Sequence, residues 1–261
     1  MRILVCVKHV PDTTEIRFDP VTKELRLRQA PTKINNYDEH ALEVAVRLRE
    51  QLGAEVVIAC IGPEEAGKTM KTAVAAGADR AVLVTGPWAG EIDPAGTSAL
   101  LAGLARSQGP FDLILSGDVS EDGYHSLVPG ILAAALGSPF IRGVTGLTTD
   151  GASVLVNRQA DGVEETYRVQ LPAVLSVSSA LNEPRTVTTL QVMKVSMSKV
   201  AILHASDVGL DDALFQPQAA ATRIVGIRPA AQPRRQEVLT GEPDDVVQKL
   251  ISNLEIAGVL S

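Results

Sequence analysis

Apolar residues in this chain fall into short continuous blocks separated by polar stretches rich in Gly, Pro and Asp. Ile3–Val7, Glu55–Cys60, Arg80–Val84 and Leu113–Leu115 are such blocks. Their length and lack of alternation predict strands buried on both faces. Between them the period changes. Ala41, Ala45 and Leu48 form the stripe of a helix that opens near Asn35-Asn36-Tyr37, with Asp38 or Asn36 as cap, Glu39 in its first turn and Gly53 at its end. Pro63 to Ala76 and Pro94 to Arg106 predict two more helices, the second with Leu100, Leu101 and Leu104 inward. Strand and helix alternating in this way predict an α/β fold, a parallel sheet covered by helices on both faces.

The stretch from Asp112 to Pro139 organises the rest. Its strand is broken by Ser116-Gly117-Asp118 and runs into the polar turn Ser120-Glu121-Asp122-Gly123. A helix follows, with Leu127, Ile131, Leu132, Ala135 and Leu136 on one face, Pro129 in its first turn and Gly137 as its stop. Strand, loop and helix N-terminus in that order leave free backbone N–H groups where they can hold a phosphate. Lys8-His9-Val10-Pro11-Asp12 is a second loop at a strand C-terminal end, where α/β sheets bind ligands. Beyond it, Ile16–Phe18 and Leu25–Leu27 around Asp19-Pro20 predict a hairpin over the sheet.

After Pro139 the pattern alternates. Ser153–Asn157 and Thr166–Leu171, joined through Asp161-Gly162, predict an antiparallel hairpin, and Ala173–Val177 a further apolar strand. Leu190 to Met197 reads as one or two exposed helical turns, and Val200–Leu203 as a last short strand. From Ser206 to Pro233 the composition shifts to Ala, Gln, Pro and Arg, as in an extended arm rather than a core. A terminal helix after Thr240 carries Val247, Leu250, Ile251 and Leu254 on one side, a side that needs a partner surface.

At 261 residues and 45% apolar content the chain can bury a large core. The net charge of −7 argues against nucleic acid or an anionic membrane as a partner. No apolar run reaches membrane-spanning length, and MRILVCVKHV is too short for a signal segment and lacks a cleavage site, so a cytoplasmic protein is expected. Cys6 and Cys60 each sit inside an apolar block and read as buried thiols rather than a disulfide. Aromatic content of 3% argues against a flavin sandwiched between rings of this chain alone.

Gly62 to Thr69 matches the spacing of a phosphate-binding P-loop, but Pro63 lacks an amide and Glu64 and Glu65 would face the phosphates. A capping Gly62, with Pro63 as the first helical residue and two glutamates complementing the dipole, fits better. His9, His40, His125 and His204 have no metal-ligand spacing, so no metal site is expected. His125 lies in the phosphate loop, as a ligand or acid–base group or as a solvated or capping residue. Ser116, Ser120 and Ser126 lack a nucleophile-elbow context. With no catalytic acid, base or nucleophile in view, a binding or electron-carrying protein is expected.

Several segments together resemble the β subunit of electron-transfer flavoprotein. They are Val5-Cys6-Val7-Lys8-His9-Val10-Pro11-Asp12, Asn35-Asn36-Tyr37-Asp38-Glu39, Ala75-Ala76-Gly77-Ala78-Asp79-Arg80, Gly117 to Pro139, Leu171-Pro172-Ala173-Val174 and Leu181-Asn182-Glu183-Pro184-Arg185. Their order and spacing span nearly the whole chain. One departure is in the loop, which reads Glu121-Asp122-Gly123-Tyr124-His125-Ser126-Leu127 and lacks the Gln of the family's Asp-x-Asp-x-x-Gln run.

The resemblance implies a Rossmann-like nucleotide-binding domain over residues 1–190. Residues 191–261 would form a recognition loop and a C-terminal arm and helix that pack on an α subunit. The α subunit would hold the redox-active FAD, and this chain AMP or, in bifurcating members, a second FAD. The nucleotide would touch Cys6, Lys8, Asn35 and Gly62, then Asp118, Ser120, Asp122 and Gly123, then Tyr124, His125, Ser126, Leu127 and Val128. Tyr37 would lie near the α-subunit flavin, and Leu190 would dock into partner dehydrogenases. Electrons would pass from a dehydrogenase, such as an acyl-CoA dehydrogenase, to a quinone reductase or other acceptor. A bifurcating subunit that oxidises NADH with two FAD, or a universal-stress-type nucleotide-binding module without flavin, are the alternatives.

Overall fold

A computed structural model describes residues 1–19, 21–22, 25–26, 29–227 and 237–260. Pro20 and Leu27 of the expected hairpin, and residues 228–233 of the expected arm, lie outside the described residues. The apolar blocks form strands as their patterning requires: β1 (Arg2–Cys6), β4 (Glu55–Ile61), β5 (Arg80–Val84) and β6 (Leu113–Gly117) are buried along almost their whole length. Two short strands, β2 (His9–Pro11) and β3 (Thr32–Ile34), pair antiparallel in a separate ribbon. The stretch expected to loop after β1 is therefore a strand, because a partner supplied from before the first helix takes up its backbone groups. Of the expected hairpin beyond it, one antiparallel bridge, Phe18 to Leu25, is present.

The main sheet has nine strands. It is completed by β7 (Phe140–Thr149), β8 (Ser153–Ala160), β9 (Val163–Gln170), β10 (Ala173–Val177) and β11 (Val200–Leu203), in the order β11-β5-β4-β1-β6-β10-β7-β8-β9. Pairing is parallel from β11 to β7 and antiparallel across β7, β8 and β9. This is the expected sheet with its antiparallel addition, enlarged by β7. Helices α1 (Asn36–Leu52) and α2 (Ala66–Ala75) cover one face, packing Ala41, Ala45 and Met70 onto Ile3, Val5 and Ile58. Helices α3 (Pro94–Gln108) and α4 (Val128–Leu136) cover the other, packing Leu100, Leu104 and Leu132 onto Leu4, Val57 and Ile114. Odd and even positions of each strand thus feed two separate cores, the period-2 alternation of a pleated strand.

Three local expectations are corrected. Helix α2 starts at Ala66, not Pro63; residues 63–65 form a tighter turn whose carbonyls accept from Ala66, Gly67 and Lys68 at 2.9, 3.0 and 3.2 Å. In α4 the buried residues are Pro129, Leu132 and Ala133, while Leu127 and Ile131 are exposed, because the helix meets the sheet and α3 along a narrow strip. The stretch from Ser206 is not loose throughout. Val208 and Phe215 are buried, Phe215 packs 5.4 Å from the Trp88 ring, and Trp88 Nε1 donates to Asp212 at 2.6 Å.

The described residues fall into two compact units, Met1–Ile227 and Arg228–Ser261. The second holds α6 (Pro243–Ile256), whose Val247, Leu250 and Ile251 are exposed. In the first, α5 (Thr189–Lys194) is a short helix with a Thr188–Gln191 capping box. Among the described residues, no helix is long and apolar enough to cross a membrane.

Candidate functional site

In the sheet, the chain steps outward from β1 through β4 to β5 and then returns to β6 on the opposite side of β1. The order reverses between β1 and β6, and a crevice opens at the C-terminal ends of strands at such a reversal. A cavity of about 740 Å³ lies there, within the size range of sites for small organic ligands.

Its two sides are pinned from within by Asp38. This residue, in the first turn of α1, does not cap its own helix. Its Oδ2 accepts from the Lys8 amide and its Oδ1 from the Gly117 amide, both at 2.8 Å, so one buried carboxylate ties the end of β1 to the end of β6. Burial pushes the Asp38 carboxyl up to about 7, against the pull of those two amides and of the Lys8 charge. The approach demands glycine at 117: a Cβ there would lie 2.6 Å from the Tyr37 backbone and 2.7 Å from Asp38 Oδ1.

Asn35, also buried, holds the loop that follows β6. Its Nδ2 donates to the Val119 carbonyl at 2.9 Å, its Oδ1 accepts from the Glu121 amide at 3.0 Å, and its own amide donates to the Lys8 carbonyl at 3.0 Å. Lys8 Nζ reaches the same loop, donating to Asp122 at 2.8 Å and to Ser120 at 3.4 Å. Burial works against the Asp122 charge, but the Lys8 ammonium and the Ser120 hydroxyl hold its carboxyl below the usual range. Tyr124 and Ser126 adopt left-handed conformations, φ 52° and 54°. Such conformations are uncommon for residues with a Cβ. His125 and Ser126 line the cavity, whereas Tyr124 is exposed outside it, beside Tyr37. A hydrogen bond with Tyr124 raises the Tyr37 hydroxyl pKa.

The opposite wall is the N-terminus of α3. Asp93 caps it, accepting from the Gly96 amide at 2.8 Å, and its second oxygen accepts from the Thr222 amide at 3.1 Å. Thr222, Arg223 and Ile224 thereby become part of the cavity lining. The floor is formed by Cys6, Ala59, Ile61 and Ser116. Burial pushes the Cys6 thiol far up and Cys60 up to about 12, so both are neutral thiols and not nucleophiles. His9 donates or accepts at Thr69 Oγ1, 2.7 Å away, and burial lowers its pKa. Among the described residues no group of three or more His, Cys, Asp or Glu could hold a metal ion.

Of the residues expected to form the site, Cys6, Lys8, Asn35 and Gly62 line the cavity, as do Asp118, Ser120, Asp122 and Gly123 and, from the loop end, His125, Ser126, Leu127 and Val128. Asp118 is held at its edge by Arg142 at 2.9 Å and by Ser176 at 2.9 Å. Tyr37 and Tyr124 do not line it, and Leu190 sits exposed on α5. Reading the sequence missed Asp38 as a pin, the α3 N-terminus and Thr222–Ile224. Asp93-Pro94 was a legible cap and first-turn pair; the Thr222 strap carried no signal, because it is tied by a bond from the Thr222 amide to the Asp93 carboxylate far along the chain.

The sequence model of the electron transfer flavoprotein domain family matches residues 26–207. A relative named electron transfer flavoprotein subunit beta, from Thermoanaerobacterium thermosaccharolyticum, is 32% identical over the full length of both chains. The caffeyl-CoA reductase–Etf complex subunit CarD of Acetobacterium woodii is 32% identical over 98% of each chain. Protein FixA of Azorhizobium caulinodans is 33% identical over 81% of this chain and 78% of its own.

Proposed function

The chain belongs to the electron transfer flavoprotein family as a β subunit, with an electron-transfer role, and from that premise we propose a division of labour within it. The crevice between β1 and β6 binds a nucleoside phosphate, AMP or the AMP half of a second FAD. The redox-active FAD is held mainly by an α subunit, which this chain helps to wall off from water. The flavin supplies the one- and two-electron chemistry when bound; this chain binds, orients and shields.

The observation that carries this reading is the Asp38–Asn35–Lys8 assembly. It sets a cation, a polar loop and the start of α4 around one cavity. Loop amides and the start of a helix suit an anion even in a protein of net charge −7, because the attraction is local. The pairing of Lys8 with Asp122 keeps the cation in place, and a bound phosphate would share it. The donor set fits the ligand in a second respect: the buried Ser116 hydroxyl on the floor has no partner among the described residues.

Residues 1–190 serve as the nucleotide-binding part, and residues 191–261 supply the recognition loop and the arm and helix that pack on the α subunit. The exposed Val247, Leu250 and Ile251 of α6 support the second assignment. Leu190, 62% exposed, is the anchor for a dehydrogenase such as an acyl-CoA dehydrogenase, and electrons leave to a quinone reductase or other acceptor. The proposed compartment is the cytoplasm. The test is co-expression with the α-like subunit, purification of the complex, and acid release and chromatography of its nucleotides. One FAD with one AMP per complex is expected. Two FAD would assign the crevice to the larger ligand. No α partner and no flavin would overturn the proposal.

A further inference from the structure

Ser116 stands near the C-terminal end of β6, on the α3–α4 face of the sheet, and lines the crevice floor with Cys6 and Ala59. It is 7% exposed, and its hydroxyl has no hydrogen-bond partner among the described residues. Three other buried hydroxyls, those of Ser176, Ser98 and Thr69, have partners. Ser176, its register partner on β10, accepts from the Gly143 amide at 3.3 Å and donates to Asp118 at 2.9 Å. Ser98 donates to the Pro94 carbonyl at 2.7 Å, and Thr69 bonds His9. A buried hydroxyl without a partner costs stability, and alanine would fill the same place without that loss.

We infer that the Ser116 hydroxyl is a direct contact of the nucleoside phosphate in this crevice, donating its proton to a phosphate oxygen. The inference rests on the nucleotide reading above and adds a residue that sets affinity for the phosphate. Three placements support it. Ser116 immediately precedes Gly117 and Asp118, where the phosphate loop begins. It lines the same cavity as Lys8, Ser120 and the α4 start at Leu127 and Val128. Its strand is locked in position by the Gly117 amide bond to Asp38 at 2.8 Å, so the hydroxyl is presented from a rigid element rather than a loop.

The test uses the full complex with its α subunit, depleted of the crevice nucleotide, and titrates AMP and, separately, adenosine by calorimetry. For S116A, AMP affinity is expected to fall about tenfold or more, the effect of one hydrogen bond to a charged oxygen. Adenosine affinity should stay at the wild-type value, and the melting temperature of the depleted complex should be unchanged or higher. S116T, which keeps the hydroxyl, should retain most of the AMP affinity. Unchanged AMP affinity in S116A overturns the inference while leaving the crevice reading standing. An equal loss for adenosine overturns the assignment to phosphate, and a lower melting temperature of depleted S116A would show an internal partner and overturn it too. If the crevice of the wild-type complex binds neither AMP nor FAD, the crevice reading fails first and the inference falls with it.

Discussion

Replacing Asp38 by asparagine tests which of two opposed forces governs the centre of the site. Two backbone amides at 2.8 Å favour the charged carboxylate, while full burial disfavours it, and burial wins, raising the pKa to about 7. An unfolded aspartate titrates near about 3.9. Folding raises the pKa, so between about pH 4 and pH 7 the folded chain keeps a proton that the unfolded chain has lost. The stability from this group is full below the unfolded pKa, declines as pH rises, and is gone above about 7. At about 1.36 kcal/mol per pH unit, the loss between pH 5 and pH 8 is about 3 kcal/mol. Asn is neutral throughout, but its Nδ2 is a donor, so one of the two amides that Asp38 accepts loses its acceptor, at a cost of about 1–3 kcal/mol at every pH. D38N should therefore be less stable than the wild type by about 1–3 kcal/mol at pH 5, and the difference should shift in its favour by about 3 kcal/mol at pH 8. Urea unfolding of the full-length chain at the two pH values, at matched ionic strength, reads this difference directly. A D38N chain whose stability relative to wild type does not rise by about 2 kcal/mol or more between pH 5 and pH 8 would show that the amide bonds outweigh burial, and would refute the reasoning. The same variant should hold nucleotide more weakly at both pH values, since the Lys8 and Gly117 amides then lack a common acceptor.

G117A forces a Cβ to within 2.6 Å of the Tyr37 backbone, which cannot yield, and should cost about 3 kcal/mol by thermal or urea unfolding; a wild-type melting temperature would mean that α1 can retreat. R185M removes bonds of 2.8 Å to Glu43 and 2.7 Å to Glu50, but Arg47 still pairs with the buried Glu43 carboxylate at 2.6 Å, so the expected loss is only about 2 kcal/mol, with part of it recovered in the E43Q/R185M double variant. L190A should change stability by no more than about 0.5 kcal/mol, because the side chain is 62% exposed, while slowing reduction of the complex by its dehydrogenase; a large stability loss with normal electron transfer would assign Leu190 to packing.

The parallel strands were legible because each is a continuous apolar run that helical periods separate; β1, β4, β5, β6 and β10 come straight from composition and order. Strand β7 was not, since only Val144 of its ten residues is fully buried and Gly143 and Gly146 interrupt it; it exists because β10 and β8 pair with its two ends. Helix α4 shows the converse. Its apolar period was plain, yet which side faces inward was decided by where α3 and the sheet stand, so Leu127 and Ile131 point out while Ala133 is buried.

The place of the loop from Asp118 to Val128, between the end of β6 and the start of α4, could be read from local chemistry alone, because its turn residues break the apolar run before the helical period begins. Asp38 could not. In the sequence it is an acidic residue in the first turn of a helix, where capping is the ordinary role, and nothing local says that its carboxylate will cross to two strand ends far along the chain. The orphaned hydroxyl of Ser116 and the strap at Thr222 are of the same kind. Periodicity and turn chemistry are properties of neighbours in sequence, and they settled the elements and the place of the loop. Which buried polar groups find partners, and which are left facing the crevice, is a property of neighbours in space, and it was decided when the sheet brought β1 and β6 side by side.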